Sequence, residues 1–253
     1  IKKVKIINSK ILLIHFNPDN NFNYWHFGNS NNWILNSIQY YDIILTWGKF
    51  LTKKLHSVGA KKIEYLPFGC DTEIHYPHNL NSNEYKKYHS DISFIGSWDL
   101  EREEIIKQLL EFKITIWGNG WQKSSHRIKK LWTREEITGI NFSKICIASK
   151  INLNLIRKQN IPGHNMRSFE IPASKGFSIN TFSTEINEIF DEGVDIISFK
   201  SIHDLKNKLH YYLENKSERE KIINNSYKKS ITHHSYNDRV KKIINLYDQY
   251  IQN

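Results

Sequence analysis

Two charged residues in the stretch Gly163–Gly176 have the types and spacing needed to bind a phosphorylated sugar. Arg167 and Glu170 lie three positions apart, so on a helix they would occupy neighbouring positions of one face. A guanidinium binds phosphate oxygens through its planar fork, and a carboxylate accepts hydrogen bonds from sugar hydroxyls. The same spacing is also typical of an ordinary surface ion pair.

Apolar runs on either side of this stretch predict the elements that would position it. Lys150–Leu155 and Phe177–Asn180 are predicted to be strands, which leaves room for about two helical turns between them. Asn165 or Ser168 can cap the start of that helix, and Gly176 can end it. The helix would begin at the carboxyl end of a strand, where backbone N–H groups and the helix dipole favour an anion.

Strands alternate with helices along the rest of the chain, which predicts an α/β fold with parallel, helix-covered sheets. The other predicted strands are Lys10–Phe16, Asp42–Trp47, Lys62–Gly69, Ile92–Ser97, Ile114–Gly120 and Val194–Phe199. The other predicted helices are Lys49–Val58, Leu100–Phe112, Ile137–Ala148, Thr184–Phe190, Ile202–Leu213, Ser217–Ser230 (with Ser217 as N-cap) and Tyr236–Ile251 (with Ser235 as N-cap). Phe22–Asn32 is predicted to be a loop, and the polar stretch His78–Ser90 a linker.

Composition and charge narrow the class of protein. With 39% hydrophobic and 13% aromatic residues, the chain can form a packed core, so disorder is excluded. The 11 glycines and 5 prolines are too few for a fibrous or low-complexity protein. A net charge of +10 favours anionic partners, which include phosphorylated ligands, acidic membranes and nucleic acid. Charge alone does not choose among them.

The cysteines and the apolar runs bear on the compartment. Cys70 and Cys146 lie far apart and without metal-ligand spacing, which fits a reducing compartment such as the cytoplasm. No apolar run approaches the ~20 residues that a membrane-spanning helix needs. The basic stretch Lys123–Lys130 is predicted to be exposed, and it would suit peripheral contact with an anionic membrane.

Several motifs together resemble the nucleotide-sugar domain of the group 1 (GT4-like) glycosyltransferases. They are Phe94–Ser97 followed by Arg102, then Ile116–Trp121, then Ser149–Asn154 followed by Arg167–Gly176. The region from Leu205 to Arg239 is similar to the tail of that family. The subgroup that looks most similar is the CgeB-like one, named for a spore maturation protein. The resemblance covers residues 92–250, whereas residues 1–80 look like the later part of the family's N-terminal domain.

The resemblance implies a GT-B fold, in which two Rossmann-like domains with parallel sheets face each other across a cleft. Residues 1–80 would be the later part of an acceptor-side domain that is incomplete here, and residues 81–91 a linker. Residues 92–234 would form the nucleotide-sugar domain. Residues 235–253 would form a helix that packs back towards the N-terminal domain.

The resemblance also implies an enzyme, a glycosyltransferase of the hexosyltransferase type (EC 2.4). It would move a sugar from a nucleotide-diphosphate sugar, with UDP favoured, to a glycan, lipid-linked or protein acceptor, with retention of configuration. No metal, no further cofactor and no nucleic acid is expected. Glu170 matches the second glutamate of the family's paired motif, which holds the donor's ribose. The first glutamate would fall at Pro162 and is absent. This departure keeps open a catalytically silent nucleotide- or glycan-binding protein of a cell-envelope or spore layer.

Without a metal, cations and helix N–H groups must stabilise the charge that develops on the leaving diphosphate. The catalytic candidates are Arg167, Arg102 and Lys175. The donor-binding candidates are Gly96, Ser97, Gly118, Trp121, Asn152, Asn154, His164, Asn165, Ser168 and Glu170. On the acceptor side, the candidates are His15 and Asp19. Each has an ordinary alternative, since glycines also serve turns, aromatic rings also pack, and loop histidines are also satisfied internally.

Overall fold

The computed structural model describes residues 1–8, 10–24 and 29–252. Within these residues the strands are β1 Ile14–Phe16, β2 Ile43–Thr46, β3 Ile63–Tyr65, β4 Ser90–Ile95, β5 Ile114–Trp117, β6 Ser149–Asn154, β7 Ser178–Thr181 and β8 Ile197–Phe199. The helices are α1 Lys2–Ile7, α2 Asn32–Ser37, α3 Thr52–Ser57, α4 Ser82–Tyr88, α5 Leu100–Lys107, α6 His126–Lys129, α7 Ile140–Ala148, α8 Arg167–Ala173, α9 Thr184–Asn187, α10 Ile202–Glu214, α11 Lys216–His233 and α12 Tyr236–Ile251.

The strands form two parallel sheets, which confirms the predicted α/β class. The first has the order β1-β2-β3, and the second has the order β5-β4-β6-β7-β8. Helices connect successive parallel strands, as crossover connections must. The central strands of the second sheet carry buried apolar residues such as Phe94, Leu153 and Ile179, which belong to the largest hydrophobic core.

A second hydrophobic core joins the two halves of the chain. Trp47 and Phe68 come from the first half, and they share this core with Phe169, Ile186 and Phe190 from the second. The C-terminal helix α12 also returns to the first sheet, where Leu246 belongs to one core with residues of β2. Because buried residues of both halves pack together in this core, it holds the two sheets in a defined relation to one another.

The boundaries differ from prediction at several elements. The predicted linker contains α4, with a capping box formed by Asn81 and Glu84, and β4 already begins at Ser90. Tyr88 is the buried residue of α4, so the helix shows no apolar period to read. Residue Asn215, not Ser217, precedes the first turn of α11. The predicted cap of α12 by Ser235 is confirmed. The predicted loop Phe22–Asn32 lies partly outside the described residues.

A buried carboxylate fastens the two halves near β2. Glu185 is 4% exposed, and its oxygens accept the backbone N–H groups of Lys49 at 3.0 Å and Phe50 at 2.8 Å. These groups start the 3-10 turn Lys49–Leu51 and have no partner within that turn. Burial raises the pKa of Glu185, and the two N–H bonds oppose that rise.

No helix within the described part of the chain is both long and apolar enough to cross a membrane.

We expect Glu185→Ala to lower the free energy of unfolding by about 2–3 kcal/mol, because two buried N–H groups lose their acceptor. The matched control is Glu188→Ala, since Glu188 pairs with the Lys49 side chain on the exposed surface. That change should cost less than about 1 kcal/mol. Urea unfolding of both variants makes the comparison, and equal losses would contradict the role assigned to Glu185.

Candidate active site

The carboxyl ends of β4 and β6 form the edge on which the candidate site is built. The two strands are parallel neighbours, with Phe94 opposite Leu153 in register. The chain leaves them through Gly96–Ser97 and Leu155–Arg157 respectively. The next strand in the chain, β5, pairs with β4 on one side, and β6 pairs with β4 on the other. The strand order therefore changes direction at β4. Open parallel sheets bind their ligands at such a switch point, outside the carboxyl ends of the strands.

An amide network fixes the start of α8 against the end of β6. Asn154 is fully buried, and its Nδ2 donates to Asn165 Oδ1 at 3.1 Å and to Ser168 Oγ at 3.2 Å. It also donates to Asn180 Oδ1 at 2.9 Å. Asn165 returns a bond to Asn154 Oδ1 at 2.8 Å, and its own Oδ1 accepts the Ser168 backbone N–H at 3.2 Å. The structure thus brings Asn154, Asn165 and Ser168 together, where they position the helix.

We expect Asn154→Ala to lower the free energy of unfolding by about 2–4 kcal/mol, because several buried polar groups lose their partner and a cavity is left. Asn224→Ala on the exposed side of α11 is the matched control, with an expected change within about 0.5 kcal/mol. Denaturant unfolding monitored by circular dichroism measures both. A loss at Asn154 no larger than the control's would show that the network does not hold α8.

Arg167 is the first residue of α8 and reaches the end of β4. Its Nε donates to the carbonyl oxygen of Ile95 at 2.6 Å, and its guanidinium lies 5.9 Å from the centre of the Phe142 ring. Within the described part of the chain, neither of its Nη atoms makes a hydrogen bond, and the side chain is only half-buried. One edge of the guanidinium therefore anchors the residue, and the other keeps donors for an anion.

Two more arginines lie beside Arg167 at the same edge. Arg157 follows β6, and it donates through Nε to Asp99 Oδ2 at 3.1 Å and through Nη2 to Ser97 Oγ at 3.2 Å. Arg102 lies in the first turn of α5, where burial lowers its pKa to about 10 and the charges of Arg157 and Arg167 add to this effect. Three guanidinium groups therefore crowd this edge, and the carboxylates of Asp99 and Glu101 lie near Arg102. A cluster of guanidinium groups at a switch point is suited to a diphosphate.

Arg102 itself is placed to hold this edge together. It is 9% exposed and donates to the main-chain oxygens of Ser97 at 2.9 Å and Leu155 at 3.2 Å. These oxygens belong to the loops that leave β4 and β6. Since its guanidinium is committed to main-chain oxygens, Arg102 positions the loops, and the exposed Ser97 is better placed to meet a ligand.

Glu170 lies one turn after Arg167 and faces the segment that crosses between the two halves. Its side chain is 15% exposed, and its Oε1 lies 3.9 Å from Nε2 of His75 in that crossing segment, Pro67–Pro77. Burial raises the pKa of Glu170, and the charge of Arg167 opposes this rise. Glu170 therefore faces the crossing segment and Arg167 faces the end of β4, so the two do not form an exposed surface pair.

The candidate glycines are required by the backbone itself. Gly118 has a φ of +124°, and a Cβ there would lie 2.5 Å from the carbonyl oxygen of Gly96. The loops after β4 and β5 therefore pack directly on each other, which only glycine permits. Trp121 is fully buried, and its Nε1 donates to the same Gly96 oxygen at 2.9 Å. Trp121 does not fit the donor-binding role predicted for it, because its ring is enclosed in the core.

Two further candidates are committed elsewhere. Asn152 is buried, and its side chain is hydrogen-bonded to Ser93 Oγ, Cys146 O and Phe177 O. This polar side chain of β6 therefore has its partners within the protein interior. His164 is fully buried between the halves, where its Nε2 accepts the Phe68 N–H at 3.3 Å and burial lowers its pKa to about 3. A neutral, enclosed imidazole does not attract phosphate.

Lys175 lies past the far end of α8. It has a φ of +56°, and its Nζ lies 4.9 Å from the centre of the Tyr227 ring on α11. The helix therefore separates it from the arginines at the other end. We leave Lys175 out of the site, although the sequence placed it in the same motif.

The two acceptor-side candidates lie at the end of the first sheet. His15 and Asp19 line one small cavity with Asn17 and Asn21. The His15 ring packs on Tyr41, and burial lowers its pKa. From the same loop, Asn20 Nδ2 donates to the Gln159 main-chain oxygen at 2.9 Å, two residues after Arg157. This loop therefore touches the segment that follows the sheet edge where Arg102, Arg157 and Arg167 lie, called here the arginine edge.

No cluster of three or more His, Cys, Asp or Glu side chains suited to a metal ion occurs among the described residues.

Sequence reasoning missed Arg157 and His75. Arg157 carried a usable signal, because it comes two residues after the predicted strand Lys150–Leu155, and ligands bind at the carboxyl ends of parallel strands. His75 carried none, since it lies in a loop far from Glu170 along the chain. Only the packing of the crossing segment against α7 and α8 brings it to the site.

Comparison with known proteins gives this arrangement a context. A family model described as "Glycosyl transferase-like" matches residues 102–245, more than half of the chain. No curated protein matches in sequence. Among solved structures, Anabaena Alr3699/HepE in complex with UDP-glucose is similar at a TM-score of 0.73 and 10% identity, covering 98% of this chain and 75% of that one. A glycosyltransferase from Rickettsia africae gives a TM-score of 0.68 and 16% identity, covering 88% of this chain and 68% of that one. Sucrose-phosphate synthase from Thermosynechococcus elongatus gives 0.69 and 10%, covering 94% and 68%.

Proposed function

The chain belongs to the glycosyl transferase-like family and has the GT-B fold, and from this we propose that it transfers a sugar from a nucleotide-diphosphate sugar to an acceptor hydroxyl. The observation that carries the proposal is the arginine edge, with Arg157 and Arg167 at the switch point and Glu170 one helical turn inward. Cations there suit the diphosphate, and the carboxylate suits the ribose.

The proposed reaction breaks the bond between sugar C1 and the diphosphate oxygen. An acceptor hydroxyl oxygen forms the new bond to C1, and its proton passes to the leaving phosphate oxygen. We propose retention of configuration, with attack on the face that the diphosphate leaves, so no separate base is required. Arg167 and Arg157 would stabilise the charge that the leaving group gains, and the α8 N-terminus would add its N–H groups. No metal takes part in this scheme.

We propose a UDP-sugar as the donor and a hexose as the sugar transferred. The support is that a protein of the same fold, Anabaena Alr3699/HepE, was solved with UDP-glucose. The acceptor would be a glycan, a lipid-linked glycan or a protein, met from the side of His15 and Asp19. We further propose membership of the CgeB-like subgroup, which Pro162 supports because it stands where the first glutamate would fall.

A peripheral membrane position belongs to the same proposal. The stretch Lys123–Lys130 contains five basic residues when His126 is counted, and Ile128 anchors it in the core. We propose that this stretch meets the anionic inner face of a plasma membrane when the acceptor is lipid-linked. Binding to vesicles with and without anionic lipid, at rising salt, tests this part alone.

The test of the function is a panel of UDP-, GDP- and dTDP-sugars incubated with the purified chain. Release of free nucleotide, by hydrolysis or by transfer to an added acceptor, is expected with one base class. Calorimetry with the free diphosphates then measures binding separately from turnover. If none of the panel binds, the proposal is wrong.

The second candidate function is a catalytically silent nucleotide- or glycan-binding protein. The specific observation in its favour is Pro162, which leaves the sugar ring without the carboxylate that the family usually supplies. Nucleotide binding without any nucleotide release, across all acceptors tried, would favour this function over the first.

A further inference from the structure

His75 has a defined tautomer. Its Nδ1 accepts the backbone N–H of Asp71 at 3.1 Å, so a neutral imidazole must carry its proton on Nε2. The side chain is 11% exposed, and its ring meets Phe142 edge-on with centres 5.7 Å apart. Burial lowers the pKa of His75, and the charge of Asp71 only partly opposes this. Near neutral pH the residue is therefore an uncharged ring with one N–H donor of fixed direction.

That donor faces Glu170. The distance of 3.9 Å from Nε2 to Glu170 Oε1 is too long for a direct hydrogen bond. Within the described part of the chain, no hydrogen bond to the Glu170 carboxylate is formed, and His75 is the residue within ion-pair distance. A donor and an acceptor thus lie near each other, nearly buried, without a direct hydrogen bond between them.

A hydroxyl group can bridge the two side chains from one side. A hydroxyl oxygen can accept from one group and donate to another at once, with typical bond lengths of ~2.7 to ~2.9 Å. At about these lengths from both atoms, the oxygen lies to one side of the 3.9 Å line that joins Nε2 and Oε1. A phosphate does not fit as well, because the carboxylate would repel it. The pair is therefore suited to an alcohol.

We propose that His75 is a donor-binding residue, whose Nε2–H donates to the ribose hydroxyl that in turn donates to Glu170. This inference rests on the proposed function, since it concerns the ribose of the same nucleotide. In this arrangement His75 of the crossing segment and Glu170 of α8 both bond to the hydroxyl, so two separate elements recognise it. A site built in this way rejects an analogue that lacks the hydroxyl, because its buried polar groups are then left unpaired.

The experiment is calorimetry of UDP, 2′-deoxy-UDP and 3′-deoxy-UDP with the wild-type chain and His75→Phe. Phenylalanine keeps the ring that packs on Phe142 and removes the donor. We expect UDP affinity to fall about 10-fold in the variant, while affinity for one deoxy analogue is unchanged, because that analogue has no hydroxyl to lose. His89→Phe is the matched control, since His89 lies at the opposite end of β4 with its ring on Tyr85. It should bind all three as the wild type does.

Two results would overturn the inference. One is unchanged UDP affinity in His75→Phe; the other is an equal loss for all three nucleotides, which would indicate a structural role. His75→Ala gives the same comparison if the phenylalanine variant does not fold. If the wild type binds UDP and Arg167→Ala does not, the proposed function is still supported in either case. If the wild type binds none of UDP, GDP and dTDP, both are refuted.

Discussion

Replacing Arg167 with alanine is expected to lower UDP affinity by about 100-fold and the rate of sugar transfer, as kcat/KM, by about 1,000-fold. The residue keeps its two Nη groups for the ligand, and each charge-assisted bond to a phosphate contributes about 1.5–3 kcal/mol. The loss in rate is larger than the loss in binding because charge on the diphosphate grows in the transition state. Calorimetry and a nucleotide-release assay measure the two effects.

Two comparison variants sharpen this prediction. Arg167→Lys keeps the charge and loses the planar fork, so an intermediate loss is expected. Lys175→Ala removes a cation from the same motif at the other end of α8, where the ammonium lies over Tyr227. The motif alone predicts a loss for both Arg167 and Lys175, whereas the structure predicts a loss for Arg167 only. Equal losses at the two positions would refute the site as described.

The second large effect is expected at Glu170, where function and stability should change in opposite directions. Glu170→Gln should lower UDP affinity at least 10-fold, because an amide oxygen accepts a ribose hydroxyl bond more weakly than a carboxylate. The same change should raise the free energy of unfolding, since burial makes the charged carboxylate costly in the folded chain. The expected gain is on the order of 1 kcal/mol for each unit by which the pKa is raised.

The pH dependence follows from the sign of that shift. The pKa of Glu170 in the folded chain is raised above its usual 4.5. At pH values between 4.5 and the raised pKa, the folded chain therefore holds a proton that the unfolded chain has lost. Stability contributed by this group is therefore greatest at low pH and falls as pH rises from 4.5 through the raised value. The difference in unfolding free energy between wild type and Glu170→Gln should grow across the same window.

Binding should show the opposite trend with pH. The ionised carboxylate is the better acceptor, so UDP affinity of the wild type should fall as Glu170 is protonated on acidification. UDP itself titrates near a pKa of about 6, but this contribution is common to both proteins. The ratio of wild-type to Glu170→Gln affinity isolates the carboxylate. A ratio that stays constant from neutral to acidic pH would contradict the role assigned to Glu170.

The sequence predicted the features that depend on local chemistry. The alternation of apolar strands with amphipathic helices was sufficient to predict parallel sheets, and the Ser235 cap followed from side chain to backbone bonding within one turn. The placement of Arg167 and Glu170 on one short helix after β6 is equally local. Where local signals are weak, as in α4 with its single buried tyrosine, the prediction failed.

The role of each polar side chain depended on contacts between elements far apart in the chain. Asn152 and Asn154 look alike in the sequence, yet one bonds to neighbouring backbone and the other holds α8. The indole N–H of Trp121 donates to a main-chain oxygen in the interior, and His164 is enclosed there. His75, in contrast, lies near Glu170 although its loop is distant along the chain. A buried polar group needs a partner, and backbone, side chain and ligand can each supply it. Residue type and spacing do not distinguish these three sources, because the partner is chosen by tertiary packing.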